Sequence, residues 1–489
     1  MVFNLVSPGY IGRSSNIDAS RLVNFMLEAN SKESKAPISL IGTPGTSLWL
    51  SLGSSVVRGM HVVNNMLYVV TGNKLYSISP FKVVSSALGS LTTSIGPVIM
   101  KDNGLTVSGV GGNQLMIVDG TAGYIYNIST GIFTTSTFFT GGGFPSTGVN
   151  SLEFMDGYFV LSQSNSMNVV CSDLYNGTNY HPIAVASVEG FPDTIQSTWQ
   201  IQEQLFFIKQ YSTEIWYDAG IDTAQGFPFS RMTSAVLDVG TPSPYSVSKG
   251  VDGLYMLGNR KIGDGPNFVG VIRIQNDTPE IISPPAITLQ MTAWKPWADV
   301  IGYCYEEEGH SFYVVTSPSA NQTFVYDAAI GDPMAAWHER STYVSGSQYQ
   351  VNRHVSNSYV NFRSHHLVGD FKNGNIYVLD SSEYTDNDLP LVSFRTAEIL
   401  ADKKGDSNSI RISRIQIDAE MGVGGNIAFS FSQDGGHTWS SDYMASLGLI
   451  GEYGKRASWR RVGTFPYGMI PRIAISDPCK RVIINGYVD

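Results

Sequence analysis

Seven times along the chain, an apolar-aromatic segment, a short polar turn and a second such segment recur. The units are MLYVVTGNKLYSIS, QLMIVDGTAGYIYNIS, GYFVLSQSNSMNVVC, QLFFIKQYSTEIWYD, GLYMLGNRKIGDGPNFVGVIRI, SFYVVTSPSANQTFVYD and HLVGDFKNGNIYVLD. One anchor per unit (Leu67, Leu115, Tyr158, Phe206, Tyr255, Phe312 and Leu367) sets a spacing of 43 to 57 residues. Four-stranded propeller blades take ~40–50 residues. A hairpin with one apolar face cannot bury that face alone, so successive units must stack around an axis. The competing arrangement, unrelated hairpins in sandwiches, leaves the even spacing unexplained. The expectation is an all-β fold centred on a β-propeller of six or seven blades, depending on whether the two ends share one. Tyr68, Tyr126, Tyr217, Tyr326 and Tyr377 recur on these strands and are expected in the core or between blades.

The flanks read differently. Residues 1–50 are expected to form an N-terminal arm or lead-in, residues 51–390 the propeller, and residues 391–489 a small β-sandwich-like domain. In that last part RISRIQIDAE, NIAFSFSQDG, RASWRRVGTF, PRIAISDP and KRVIINGYV read as strands. Along NIAFSF, Ile427, Phe429 and Phe431 alternate with Ala428 and Ser430, the pattern of a half-buried strand. Helical periodicity is nearly absent, and DASRLVNFMLEANSKES is the best helix candidate.

Charge narrows the function. Only 15% of the 489 residues are charged, and the formal net charge is −10. Nucleic-acid binding runs on Lys and Arg neutralising phosphates. An acidic chain suits a surface that DNA passes without sticking better than one that grips it. Three widely spaced cysteines, Cys171, Cys304 and Cys479, form neither a disulfide framework nor a metal-ligand pattern. No secretory signal is evident at MVFNLVSPGYIGRSSN, and no apolar run approaches the ~20 residues of a membrane-spanning helix.

Motifs for chemistry are sparse. SQDGGHTW resembles the Asp-box, S-x-D-x-G-x-T-W, a turn met in sialidases and other propeller proteins; here it comprises Ser432, Asp434, Gly436, Thr438 and Trp439. The Arg-Ile-Pro segment that a sialidase would also carry is missing, and the box occurs once, outside the repeats. Asp434 is expected to accept backbone N–H bonds across the loop, with Gly435 and Gly436 supplying positive φ and Trp439 covering an apolar face. The adjacent His365 and His366 would face opposite sides of a strand. Asp386 and Asp388 lack the Gly and distal Glu of an EF-hand loop. Glu306, Glu307 and Glu308 are expected as solvated charge in a turn. Gly454-Lys455 lacks the rest of a phosphate-binding loop. No catalytic, cofactor-binding or metal-binding residues are therefore assigned. Arg456, Arg460 and Arg461 concentrate positive charge, and two readings stay open: a contact with a neighbouring subunit or adaptor, or a solvated strand edge that discourages stray pairing.

Two blocks, PGYIGRSSNIDASRLVNFMLEANSKESKAPISLIGTPG near the start and MGVGG, SQDGGHTW, GEYGKRASWRRVGTF and PRIAISDP near the end, resemble the packaged-DNA stabilisation proteins of short-tailed bacteriophages, also called tail hub or nozzle proteins. The LVGDFKNGNIYVLD unit is similar to that family's last propeller segment. The resemblance implies a virion tail protein without enzymatic activity, assembled in the bacterial host cytoplasm. It implies a homohexameric ring below the portal and adaptor proteins, which continues and closes the DNA channel and anchors fibres, spikes or a plug. Double-stranded DNA would pass it without sequence-specific binding. The alternative is a glycan-binding or sialidase-like β-propeller; a bacterial surface adhesin is a third reading.

Overall fold

A computed structural model of the chain describes residues 2–9, 12, 18–31, 33–260, 268–346, 348–401 and 409–489. Much of the PGYIGRSSN motif and the centre of the fifth repeat's turn lie outside the described residues.

Seven four-stranded antiparallel blades surround one axis. Six are built from continuous sequence: residues 57–90, 99–135, 149–187, 195–237, 248–281 and 301–339. The seventh uses Ser356–Phe362, His365–Asp370 and Asn375–Asp380, and takes its outermost strand, Gly45–Ser51, from the other end of the chain. The ends do share a blade, which fixes the count at seven. All seven anchors fall on the second strand of their blade. Several hairpins close through two-residue turns with both residues left-handed, such as Asn64-Asn65 (φ 47° and 60°) and Arg363-Ser364 (51° and 63°); this turn geometry matches the twist of the strands it joins.

Packing follows the expected logic. Seven apolar clusters lie between consecutive blades, the last joining blade seven to blade one through Trp49, Val57, Leu67 and Phe362. Tyr68 meets Tyr126 across blades one and two at 5.9 Å, and Tyr255 meets Tyr326 across blades five and six at the same distance. Tyr217 departs from this pattern and is 45% exposed.

Three expectations need correction. The N-terminal region is not an arm. Phe25–Ala29 and Ile38–Gly42 join Val482–Val488, Ile410–Ala419 and Ala457–Phe465 in one sheet of a C-terminal sandwich, and Val2–Phe3 pairs with Val482–Val488. Arg21–Val23 opens the other sheet, which continues through Ser393–Thr396, Ile470–Ile475, Asn426–Ser432 and Tyr443–Ser446. The same strand pairs in parallel with Trp337–Glu339 of blade six, so the two units share a hydrogen-bonded sheet. Buried Arg395 pins this N-terminal segment by donating to the Leu5 and Arg21 carbonyls and to Ser7.

The helix candidate is two strands. Asn24 breaks it at φ 52°: its amide nitrogen donates to the Ser341 and Val392 carbonyls, and its side-chain oxygen accepts from Ser341 N–H. Tertiary hydrogen bonds thus override a local period of apolar residues. The one α-helix among the described residues is Pro285–Ala293, between blades five and six. Third, NIAFSF is buried on both faces: Ile427 and Phe429 enter the sandwich core, while Ala428 packs with Val23, Phe394 and the Tyr343–Val351 linker that leaves blade six.

Candidate functional site

The innermost strands of all seven blades converge on a bore of about 280 Å³. Its own side chains brace it. Lys101 of blade two lies 2.7 Å from Glu153 of blade three and places its ammonium 5.2 Å from the Trp199 ring of blade four. Buried Arg58 donates to the carbonyls of Gly72, Thr93, Ile95 and Gly96. Tyr303 stacks on Tyr359 of the next blade at 5.1 Å, and its hydroxyl donates to Ser356. Small-molecule sites typically measure ~300–1,000 Å³.

The Asp-box is a self-contained hairpin turn. Asp434 accepts from Thr438 N–H (2.9 and 3.0 Å), from the Thr438 hydroxyl (2.6 Å) and from the Ser432 hydroxyl (2.7 Å). Gly436 N–H donates to Ser432, and Trp439 donates its indole N–H to the Gly436 carbonyl. Gly435 and Gly436 take φ 73° and 91°. The Thr438 hydrogen bonds hold the Asp434 carboxyl below the usual carboxylate range. Acceptors engaged in this way order the loop. Trp439 covers a cation, Arg472, with 4.1 Å between guanidinium and ring.

Arg460 and Arg461 lie on Ala457–Phe465, the edge strand of its sheet, and Arg456 immediately precedes it; all three are exposed. Arg460 stands directly opposite Arg414, whose charge is met by Asp489 at 2.6 Å. Arg456 Nε lies 3.9 Å from Asp418. The structure therefore gathers the three arginines on one sheet edge.

His365 and His366 sit on one strand; the Tyr359 hydroxyl lies 3.0 Å from His366 Nδ1, and the two rings stack at 6.1 Å. Asp386 receives the Thr46 hydroxyl at 2.5 Å, whereas Asp388 lies in a tight turn. Among the described residues, no three His, Cys, Asp or Glu side chains stand close enough to hold a metal. Glu307 is a correction: it is half-buried and accepts from Ser381 N–H, and burial raises its carboxyl. Two features escaped the sequence reading. His310, just past the Glu306–Glu308 run, is nearly buried and lies 2.6 Å from both Asp327 and Glu28. Arg472, inside the PRIAISDP strand, looks like any strand cation until Tyr349 and Trp439 are seen on its two sides. Neither carries a local sequence signal, because each partner set is distant along the chain.

Two family models cover the chain in sequence order. Residues 15–384 match the model described as bacteriophage P22 Gp10, β-propeller, and residues 401–489 match bacteriophage P22 Gp10, β-sandwich. The chain belongs to the bacteriophage P22 Gp10 family. Membership in the Gp10 family gives it a structural role in a phage particle, assembled with other virion proteins. No curated protein sequence matches it. Solved structures with a similar outline include the designed protein Ika8 (10% identity, 69% of this chain and 100% of that one, TM-score 0.37). The WD40 domain of Neurospora crassa Pan2 aligns at 12% identity over 69% and 94% of the chains (TM-score 0.39). An exo-β-1,3-galactanase from Phanerochaete chrysosporium aligns at 9% identity over 91% and 99% (TM-score 0.28). At such TM-scores none carries an argument about this Gp10-family chain. No helix among the described residues is long and apolar enough to cross a membrane.

Proposed function

We propose that this chain is a tail hub, or nozzle, subunit. Six copies form a ring below the portal and adaptor, extend and close the DNA channel, retain the packaged genome and anchor fibres, spikes or a plug. The observation that carries this reading is the braced bore. A propeller braced across its bore by its own side chains and fused to a sandwich through a shared sheet suits a rigid wall block, with the duplex passing between copies. The formal charge of −10 per chain favours a bore between subunits along which DNA slides. Arg456, Arg460 and Arg461, on an exposed sheet edge, are proposed contacts with a neighbouring subunit or the adaptor. Assembly takes place in the bacterial host cytoplasm, and no catalytic step belongs to the role. Electron microscopy of assembled tails tests it. A sixfold ring with a central channel is expected; a monomeric chain in intact virions would refute it.

A further inference from the structure

A pocket of about 200 Å³ opens beside the Asp-box, at the seam between sandwich and propeller linker. Its principal feature is Arg472. The guanidinium carbon lies 3.5 Å from the Tyr349 ring centre and 4.1 Å from that of Trp439, and Nε donates to Ser430 at 3.1 Å. The side chain is only 7% exposed, yet its two terminal nitrogens meet no acceptor among the described residues. Stacking fixes the plane of the fork, and its open edge belongs to a pocket completed by Arg21, Thr396 and Gly436, with no acidic side chain lining it among the described residues. Arg21 is already neutralised by Glu339, in two contacts of 2.9 and 2.6 Å. Asp442 accepts from the Tyr349 hydroxyl at 2.7 Å and acts on Arg472 through space, without a hydrogen bond to the fork.

A nearly buried cation with two unused donor nitrogens favours an anion that can reach them, because unmade hydrogen bonds of a buried charged group are costly. A planar guanidinium fork matches a carboxylate through two parallel hydrogen bonds. Size and stacking then narrow the class. Both aromatic rings already stack on Arg472, which uses the faces a sugar ring would need. The volume lies below the usual range for small-molecule sites and suits one acidic side chain.

We propose that this pocket is a docking site for an Asp or Glu side chain presented by a partner protein segment, with Arg472 as its anchor and the Asp-box loop as one wall. The pocket stands whether or not the hub reading holds. The probe is fluorescein-labelled hexaglutamate, with hexaglutamine as control and an α2,8-linked trisialic acid as the sugar-acid competitor, measured by anisotropy on the full chain. Hexaglutamate is expected to bind and hexaglutamine not to. Arg472→Gln is expected to weaken binding at least tenfold, and Arg472→Lys, which keeps the charge but loses the fork, less. Ala19→Glu supplies a carboxylate at the pocket rim in cis and is expected to block the peptide with Arg472 intact, which covers the case of a misfolded Arg472→Gln. Arg460→Gln/Arg461→Gln is expected to change nothing. Binding that survives both Arg472→Gln and Ala19→Glu, or that falls only with the Arg460/Arg461 pair, overturns the site. Displacement by trisialic acid at lower concentration than free hexaglutamate overturns the peptide assignment.

Discussion

His310 is expected to make the union of propeller and sandwich sensitive to alkali. The ring starts blade six's second strand, and its two nitrogens face Asp327 of the same blade and Glu28 of the sandwich, each at 2.6 Å. The hydrogen bond with Asp327, opposed by burial and supported by Glu28, raises the ring's pKa from 6.5 to about 9. The folded protein therefore keeps the proton where the unfolded chain has released it. The stabilisation is fully present below pH 6.5 and is lost as pH rises through 9. The gap between those values corresponds to about 3.4 kcal/mol at low pH, about 2.5 at pH 7 and about 0.4 at pH 9. Glu28 is 32% exposed, so solvent screening trims these upper values and about 1.5–2 kcal/mol should disappear between pH 7 and 9. Urea unfolding of wild type and His310→Gln from pH 6 to 10 checks this, with the difference between the two cancelling the groups they share. Wild type should lose its advantage over that pH interval, and amide exchange in residues 25–29 should accelerate with it. Parallel pH profiles for the two proteins would refute the assignment.

Asn24→Ala removes three hydrogen bonds at a left-handed position and should cost roughly 2–4 kcal/mol in urea unfolding. Asn24→Gly keeps the backbone freedom and should cost less. The Asp434 carboxyl is held below its ordinary range, so its contribution to loop order is present at neutral pH and is lost only as pH falls through that depressed value. Limited proteolysis of residues 433–438 should therefore stay slow down to about pH 4 and become fast at neutral pH in Asp434→Ala. Arg460→Gln/Arg461→Gln should leave melting within about 0.5 kcal/mol of wild type, since both side chains are exposed. If the edge meets a neighbour, the same variant should reduce ring assembly in sedimentation runs, more so at low salt.

The propeller was legible because its signal is periodic: seven anchors landed on seven equivalent strands. The Asp-box was equally readable, since all its bonds lie within eight residues. What failed was everything set by distant partners. Asn24 looked helical because Ser341 and Val392, which bend the chain there, are more than three hundred residues away. Glu307 looked solvated because Ser381 is supplied by the next blade. Ala428 looked solvent-facing because the linker that covers it leaves blade six more than seventy residues before Ala428 itself. The pocket around Arg472 joins the Asp-box to Ala19, Arg21, Tyr349, Phe394 and Thr396, which no shared period or motif connects to it.

The borrowed strand of blade seven has a consequence for biosynthesis. Gly45–Ser51 leaves the ribosome early, and its partner Asn375–Asp380 follows about 330 residues later. At ~5–20 residues per second, translation holds that first ribbon unmated for roughly 20 s to a minute. During that interval its hydrogen-bonding edge is open to nascent chains on the same messenger. Crowded polysomes late in infection are where such a protein is most prone to cross-pair, and slowing initiation should raise its soluble yield.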